Sequence, residues 1–220
     1  MNDLSRYFRS VVVTACAYSL IALLPATANA SAQQDWQFRV YLDDTPIGYH
    51  EFSVEQASDH LRMTTHARFD VTFLKIPLFS YRHQDVQQWS DQCLKSIKSK
   101  TDQNGSLFEV DGSTTEKGFQ ITTKDGNATL PECISTFAYW NKSFLQHEKL
   151  LNSQTGEYLD VDVDHLGEHS ITVRNTSVPA NRYRLTAEDV DIELWYSNND
   201  QWLGLQSETS SGRLLRYVIE

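Results

Sequence analysis

Basic charge is scarce and scattered. The 220 residues carry 19 Lys and Arg against 29 Asp and Glu, and no run of basic residues stands out. Nucleic acid and anionic headgroups are held by basic stripes, so the composition argues against both as partners. Recognisable catalytic strings are also missing. There is no G-x-S-x-G elbow, no Gly-rich phosphate loop and no paired carboxylates in a familiar setting, and no cofactor motif can be named. No linker rich in Pro, Gly or Ser divides the chain, and no repeat period appears. Beyond residue 24 no apolar run is long enough to span a bilayer, which needs about 20 residues.

What is present begins with an N-terminal address. Arg6 and Arg9 precede an apolar run over 11–24, Pro25 ends it, and Ala28-Asn29-Ala30 has the small-x-small pattern of a signal-peptidase site. This is the pattern of a bacterial secretory signal, cleaved after Ala30, and it places the protein in the periplasm. Val13-Thr14-Ala15-Cys16 has the residue types of a lipoprotein box. However, few apolar residues precede Cys16 and the run continues past it, so the cleavable signal is preferred. The domains expected are a signal at 1–30 and one domain at 31–220, long enough to bury a core. Cys93 and Cys133 then remain, and an oxidising compartment favours a bridge between them over two free thiols. A metal pair is disfavoured, because neither has a second Cys or a His at ligand spacing.

The rest of the chain alternates polar and apolar residues. Trp36, Phe38, Val40 and Leu42 share one face, and similar segments cover 48–54, 60–69, 73–90, 94–101 and 107–110. Asn104-Gly105 is a hairpin signal, and Asp111-Gly112, Lys117-Gly118 and Asp125-Gly126 punctuate the next short strands. Strands return over 159–163, 182–186 and 190–194, and 202–219 closes as a hairpin around Ser210-Ser211-Gly212. About ten or eleven antiparallel strands are expected. The fold class is mainly β: a strongly curved antiparallel sheet or incomplete barrel, with one or two short helices packed in or over it.

The helix is assigned to the one stretch with a different texture. In "FAYWNKSFL", residues 137–145, and onward to Leu151, apolar residues recur in steps of three and four. Ser135 or Thr136 would cap it. Its aromatic face, with Tyr139, Trp140 and Phe144, would plug the sheet or line an apolar pocket with Trp89, His50 and His83. His83 shares a face with Tyr81 and Trp89 by parity, and His50 is placed to meet His66 on a neighbouring strand. His165-Leu166-Gly167-Glu168-His169 fits the zinc-protease string H-x-x-E-H, which needs a helix. Here the flanks alternate as strands, so the string reads as a hairpin turn, and no metal site is assigned.

Several phrases occur together along the chain: "IGYHEF", "YRHQDVQQW", "CLKSIKSKTDQNG", "FAYWNKSFLQHEKLLNSQTGE" and "ELWYSNNDQWLGLQS". With them the chain resembles a family of bacterial exported proteins known as a domain of unknown function. That family assigns no catalytic residues to carry over. In architecture the chain more loosely resembles the periplasmic lipoprotein carriers, which hold acyl chains in a half-barrel under short helices. Three functions follow as expectations. The first is a periplasmic, non-enzymatic protein that binds a lipid, another apolar small molecule or an envelope protein. The second is a hydrolase-like enzyme using His50 or His83, and the third is a structural or assembly factor of the envelope.

Overall fold

Where apolar and polar residues alternate without interruption, the backbone is extended and one face is buried. In β1 (Gln33–Leu42), Trp36, Phe38, Val40 and Leu42 point inward and the residues between them outward. The computed structural model describes residues 33–74 and 76–220, so the expected signal at 1–30 lies outside the described residues. The strands that follow are β2 (Thr45–Gln56), β3 (Leu61–Phe73), β4 (Ile76–Ser90), β5 (Cys93–Gln103), β6 (Ser106–Thr115), β7 (Gly118–Thr123) and β8 (Gly126–Leu130). The second half holds β9 (Lys149–Leu151), β10 (Tyr158–Asp160), β11 (Asp162–Val173), β12 (Thr176–Ala187), β13 (Val190–Tyr196), β14 (Trp202–Glu208) and β15 (Leu214–Ile219).

The described residues form fifteen strands rather than the ten or eleven expected, in part because the short β9 lies where a helix was expected and β10 follows it. Asp111-Gly112 is not a break but lies inside β6, where Gly112 leaves room for the Phe119 ring. A Cβ at residue 112 would come 2.6 Å from that ring. His165 to His169 is not a turn either. It lies within β11 at a bulge between His165 and Gly167, and the chain reverses later, at Arg174-Asn175, both with positive φ. The Asn104-Gly105 hairpin and the Ser210-Ser211-Gly212 turn are where the pattern places them.

Thirteen strands form one antiparallel sheet in the order β11-β12-β13-β14-β15-β1-β2-β3-β4-β5-β6-β7-β8. Two meanders are thus joined through β1 and β15, in register from Phe38 opposite Ile219 to Leu42 opposite Leu215. The sheet does not close into a barrel: β8 and β11 are its two edges. Its inner face carries the main core, in which Phe119 and Ile121 of β7 belong to one cluster with Leu194 and Tyr196 of β13.

The segment between the meanders, residues 131–161, fills that core. The helix expected here is absent, and no α-helix occurs among the described residues. One five-residue 3-10 turn, Lys142–Gln146, is capped by Asn141, whose side chain accepts from the Ser143 amide at 3.2 Å. Ser135 and Thr136 are buried rather than capping. The Leu151 amide donates to the Ser135 carbonyl, and Thr136 bridges to Leu151. Thr, Phe, Tyr, Trp, Asn and Ser are weak helix formers, so pairing with neighbouring backbone prevails over a local helix. β9 and β10 then form a separate two-stranded sheet.

Cys93 and Cys133 form a disulfide with Cα atoms 4.9 Å apart, and beside it the Leu94 amide donates to the Ile134 carbonyl. The bridge fixes the entry of the filling segment to the start of β5. It closes a loop across a separation of 40 residues. On the chain-entropy account such a loop is worth about 4 kcal/mol. Cys93→Ser is therefore expected to lower the urea midpoint by that order of free energy and to speed proteolysis near residues 131–161. Two titratable thiols in the unreduced wild-type protein would contradict the bridge.

Candidate functional site

The inner face is not wholly apolar. Across β2, β3, β4 and β5 it presents His50, Thr65, His83, Asp85, Gln87, Ser99 and Thr101. All but His50 are buried. Buried polar groups of this kind must be paired or they cost stability. Most are paired here, and the pairings fix the chemistry.

His50 Nε2 lies 2.8 Å from the Thr65 hydroxyl, and Thr65 donates its only proton to the Glu51 carbonyl at 2.8 Å. His50 Nε2 must therefore be the protonated nitrogen. Its Nδ1, 3.2 Å from the Tyr217 hydroxyl, accepts from Tyr217. Burial, and then the neighbouring His83, hold His50 neutral by pushing its pKa well below the usual value. The two imidazoles meet edge to face, with centroids 6.5 Å apart. His83 Nδ1 is 2.9 Å from the Thr101 hydroxyl, and burial, with a smaller contribution from His66, lowers its pKa to about 4. His66 itself is exposed on the other face. His50 pairs in register with Ala67, so the expected His50–His66 meeting does not occur, and the partner across the strands is His83.

Asp85 sits one step further along β4. Gln87 donates to its Oδ2 and receives at Oε1 from the Trp89 indole at 2.9 Å and from Thr136 at 3.3 Å. Asp85 Oδ1 and the hydroxyl of Ser99, directly opposite on β5, have no partner among the described residues. Burial raises the Asp85 pKa to about 7, against the opposing pull of Gln87 and Ser153.

Above this network lies a partly open cavity of about 720 Å³. His50, His83, Tyr139 and Trp140 line it, together with Phe52, Phe69, Tyr81 and Tyr217. The lining extends to exposed hairpin ends at Leu78 and at Thr209 to Arg213. Of the residues singled out from the sequence, Trp89 and Phe144 do not line it. Both are about fully buried in the core, where the Trp89 ring meets Trp140 edge-on at 5.7 Å and Phe144 meets Tyr139 at 5.8 Å. Sequence reasoning missed Thr65, Asp85, Gln87 and Tyr217, and placed Tyr81 on the face of His83 without giving it a role. Parity with His83 and Trp89 placed Asp85 and Gln87 on the inner face, but acidic and amide residues on a strand read as solvated.

The cavity is nearly free of charge. Among the described residues lining it, Arg213 alone is charged, and it is paired with Asp43 at 2.8 Å. Burial raises the pKa of Tyr81, Tyr139 and Tyr217, with neighbouring phenols adding to the effect at Tyr81 and Tyr217, so all three remain protonated.

The geometry defines a single large antiparallel sheet with an aromatic, uncharged cavity on its inner face. Over residues 38–220 the chain matches the family described as a domain of unknown function (DUF6134), and it belongs to that family. No curated protein and no solved structure matches it.

The buried network has a measurable signature. Below about pH 6.5 the unfolded chain protonates both histidines while the folded chain leaves them neutral, so each costs stability as pH falls toward 4.5. Asp85 acts in the opposite sense. Folded, it keeps its proton up to about pH 7, whereas unfolded it releases it near 3.8, so it destabilises the fold as pH rises. Over pH 4.5–6.5 it offsets one histidine. Asp85→Asn removes that offset and should steepen the acid-side loss by about 1.4 kcal/mol per pH unit. Urea midpoints across this window check it, and an unchanged slope would show Asp85 ionised in the fold.

Proposed function

We propose that this is an exported, periplasmic binding protein. In this reading the sheet is an incomplete barrel curved around residues 131–161, and its cavity takes a lipid-like or other apolar small molecule. The observation that carries the proposal is the cavity. Its volume of about 720 Å³ falls in the range of small-molecule sites, and its walls combine aromatic and aliphatic side chains with uncharged polar ones such as Gln87, Gln103 and Asn152, and with one ion-paired cation at the rim. Three elements converge on it: the filling segment through Tyr139 and Trp140, the β2–β4 face, and β15 through Tyr217. That a Tyr139–Trp202 contact at 5.3 Å and a Trp89–Trp140 contact at 5.7 Å come from adjacent residues supports the curvature. These contacts reach β14 and β4, which are five strands apart in the sheet.

The hydrolase-like alternative needs a nucleophile whose proton a histidine can take. His50 has both nitrogens engaged, and the hydroxyl beside His83 belongs to Thr101, which is fully buried. The assembly-factor alternative calls for a filled core and does not use the cavity.

Native mass spectrometry of protein purified from the periplasm, with organic extraction, tests the proposal. A discrete apolar adduct that leaves on unfolding is expected, and a bare polypeptide that also fails to bind neutral apolar dyes would refute it. Trp140→Ala is expected to weaken binding of the dye Nile red about tenfold while the far-UV spectrum is unchanged. Full affinity in this variant would remove Trp140 from the site.

A further inference from the structure

Resting on the cavity reading above, we infer that the inner end of the cavity is a head-group subsite for an uncharged oxygen-bearing group, a hydroxyl or carbonyl, on an otherwise apolar ligand. Four side chains of the lining bring unused hydrogen-bonding capacity to the cavity. Tyr217 spends its proton on His50 Nδ1, which leaves the lone pairs of its oxygen free. Tyr81 donates to Gln154 Oε1 at 3.0 Å and is left in the same condition. Gln154 is held in turn by its amide, which donates to Gln103 Oε1 at 3.0 Å. The Tyr139 hydroxyl and His83 Nε2 have no partner among the described residues, and both side chains line the cavity. The Trp140 indole N–H is enclosed in the protein without an acceptor among the described residues, so Trp140 offers the cavity its ring rather than its donor.

The same residues set the charge of the occupant. Tyr81 and Tyr217 both pack on the Phe69 ring, with centroids 5.1 and 6.3 Å away, and Tyr217 also reaches His50. His50 cannot become a cation without breaking its bond from Tyr217, because its second nitrogen is already the donor to Thr65. Among the described residues no Lys, Asp or Glu is in the lining, and Arg213 is committed to Asp43 at the exposed rim. A carboxylate or ammonium head would lose its hydration here with no counter-charge to replace it. A hydroxyl or carbonyl meets both donors and acceptors. The binding group is therefore selected for neutrality as well as for polarity.

Displacement of bound Nile red at pH 8 separates the possibilities, with decanol, decanoate and decane as competitors against the full-length mature protein. Decanol is expected to compete at least tenfold better than decanoate. In the Tyr139→Phe and Tyr217→Phe variants decanol should lose about tenfold, while decane and the dye itself bind as before. Equal competition by decanol and decanoate overturns the inference. So does a decanol affinity that neither variant changes, and in both cases the apolar cavity still stands. If Nile red does not bind the wild-type protein, the cavity reading fails first and the subsite with it. Circular dichroism and urea midpoints guard against misfolded variants. Should both phenylalanine variants unfold, His83→Gln takes their place, with the same loss for decanol expected and its absence overturning the inference.

Discussion

The pairing of β1 with β15 is the contact on which the rest depends. Each meander alone would end in an unpaired strand whose inner face is strongly apolar, with Trp36, Phe38 and Val40 on one side of the seam and Tyr217 and Ile219 on the other. Joining them makes one sheet with one inner face, and it carries Tyr217 to within hydrogen-bond reach of His50 across the intervening strand. The seam is reinforced at its end, where Glu220 meets Arg39 at 2.8 Å, its amide donates to the Gln37 carbonyl, and Arg174 donates to its carbonyl. The ion pair is exposed and contributes little by itself. The backbone ladder and the buried rings carry the energy.

A sheet of thirteen strands has more inner surface than its own side chains fill. The chain supplies the filler itself, as residues 131–161, and the disulfide sets where that filler enters. The filling is complete on one side, where Phe144, Leu150 and Leu151 are fully buried, and incomplete on the other, where the cavity remains. Polar residues lie along the boundary between the two. Asp85 is sealed behind this boundary, whereas Gln87, Thr136, His83 and Tyr139 line the open space. The orphaned oxygens of Asp85 and Ser99 are a cost to the fold that a purely apolar inner face would avoid.

Much of the sheet was legible in the sequence because a two-residue period leaves a direct trace. The faces of β1, β4 and β13 follow from alternation, and the Asn104-Gly105 hairpin from its turn residues. The filling segment was misread for a physical reason. Apolar residues spaced by three and four also arise when a chain turns tightly around bulky rings, and Asn141 caps a single 3-10 turn rather than a helix. The expected pairing of Cys93 with Cys133 agrees with the bridge in the structure. His50, His83, Tyr139 and Trp140 were placed in one region, but their partners were not. Thr65, Thr101 and Tyr217 reach the histidines through strand register and through the β1–β15 seam, neither of which a local pattern encodes. Asp85 was overlooked because its type argues for solvent more strongly than its parity argues for burial.

The seam also imposes an order on folding. β1 finds β2 at once, but its other edge waits for β15, nearly the whole described chain away. Contacts so distant along the chain form slowly, since the loop they close must be ordered first. In the interval the first meander presents an open edge next to Trp36 and Phe38, the kind of surface that invites pairing with a second chain. A nascent copy is thus most exposed to aggregation just before its last strand arrives. A chain cut short by even that strand would keep β1 and β14 as bare edges.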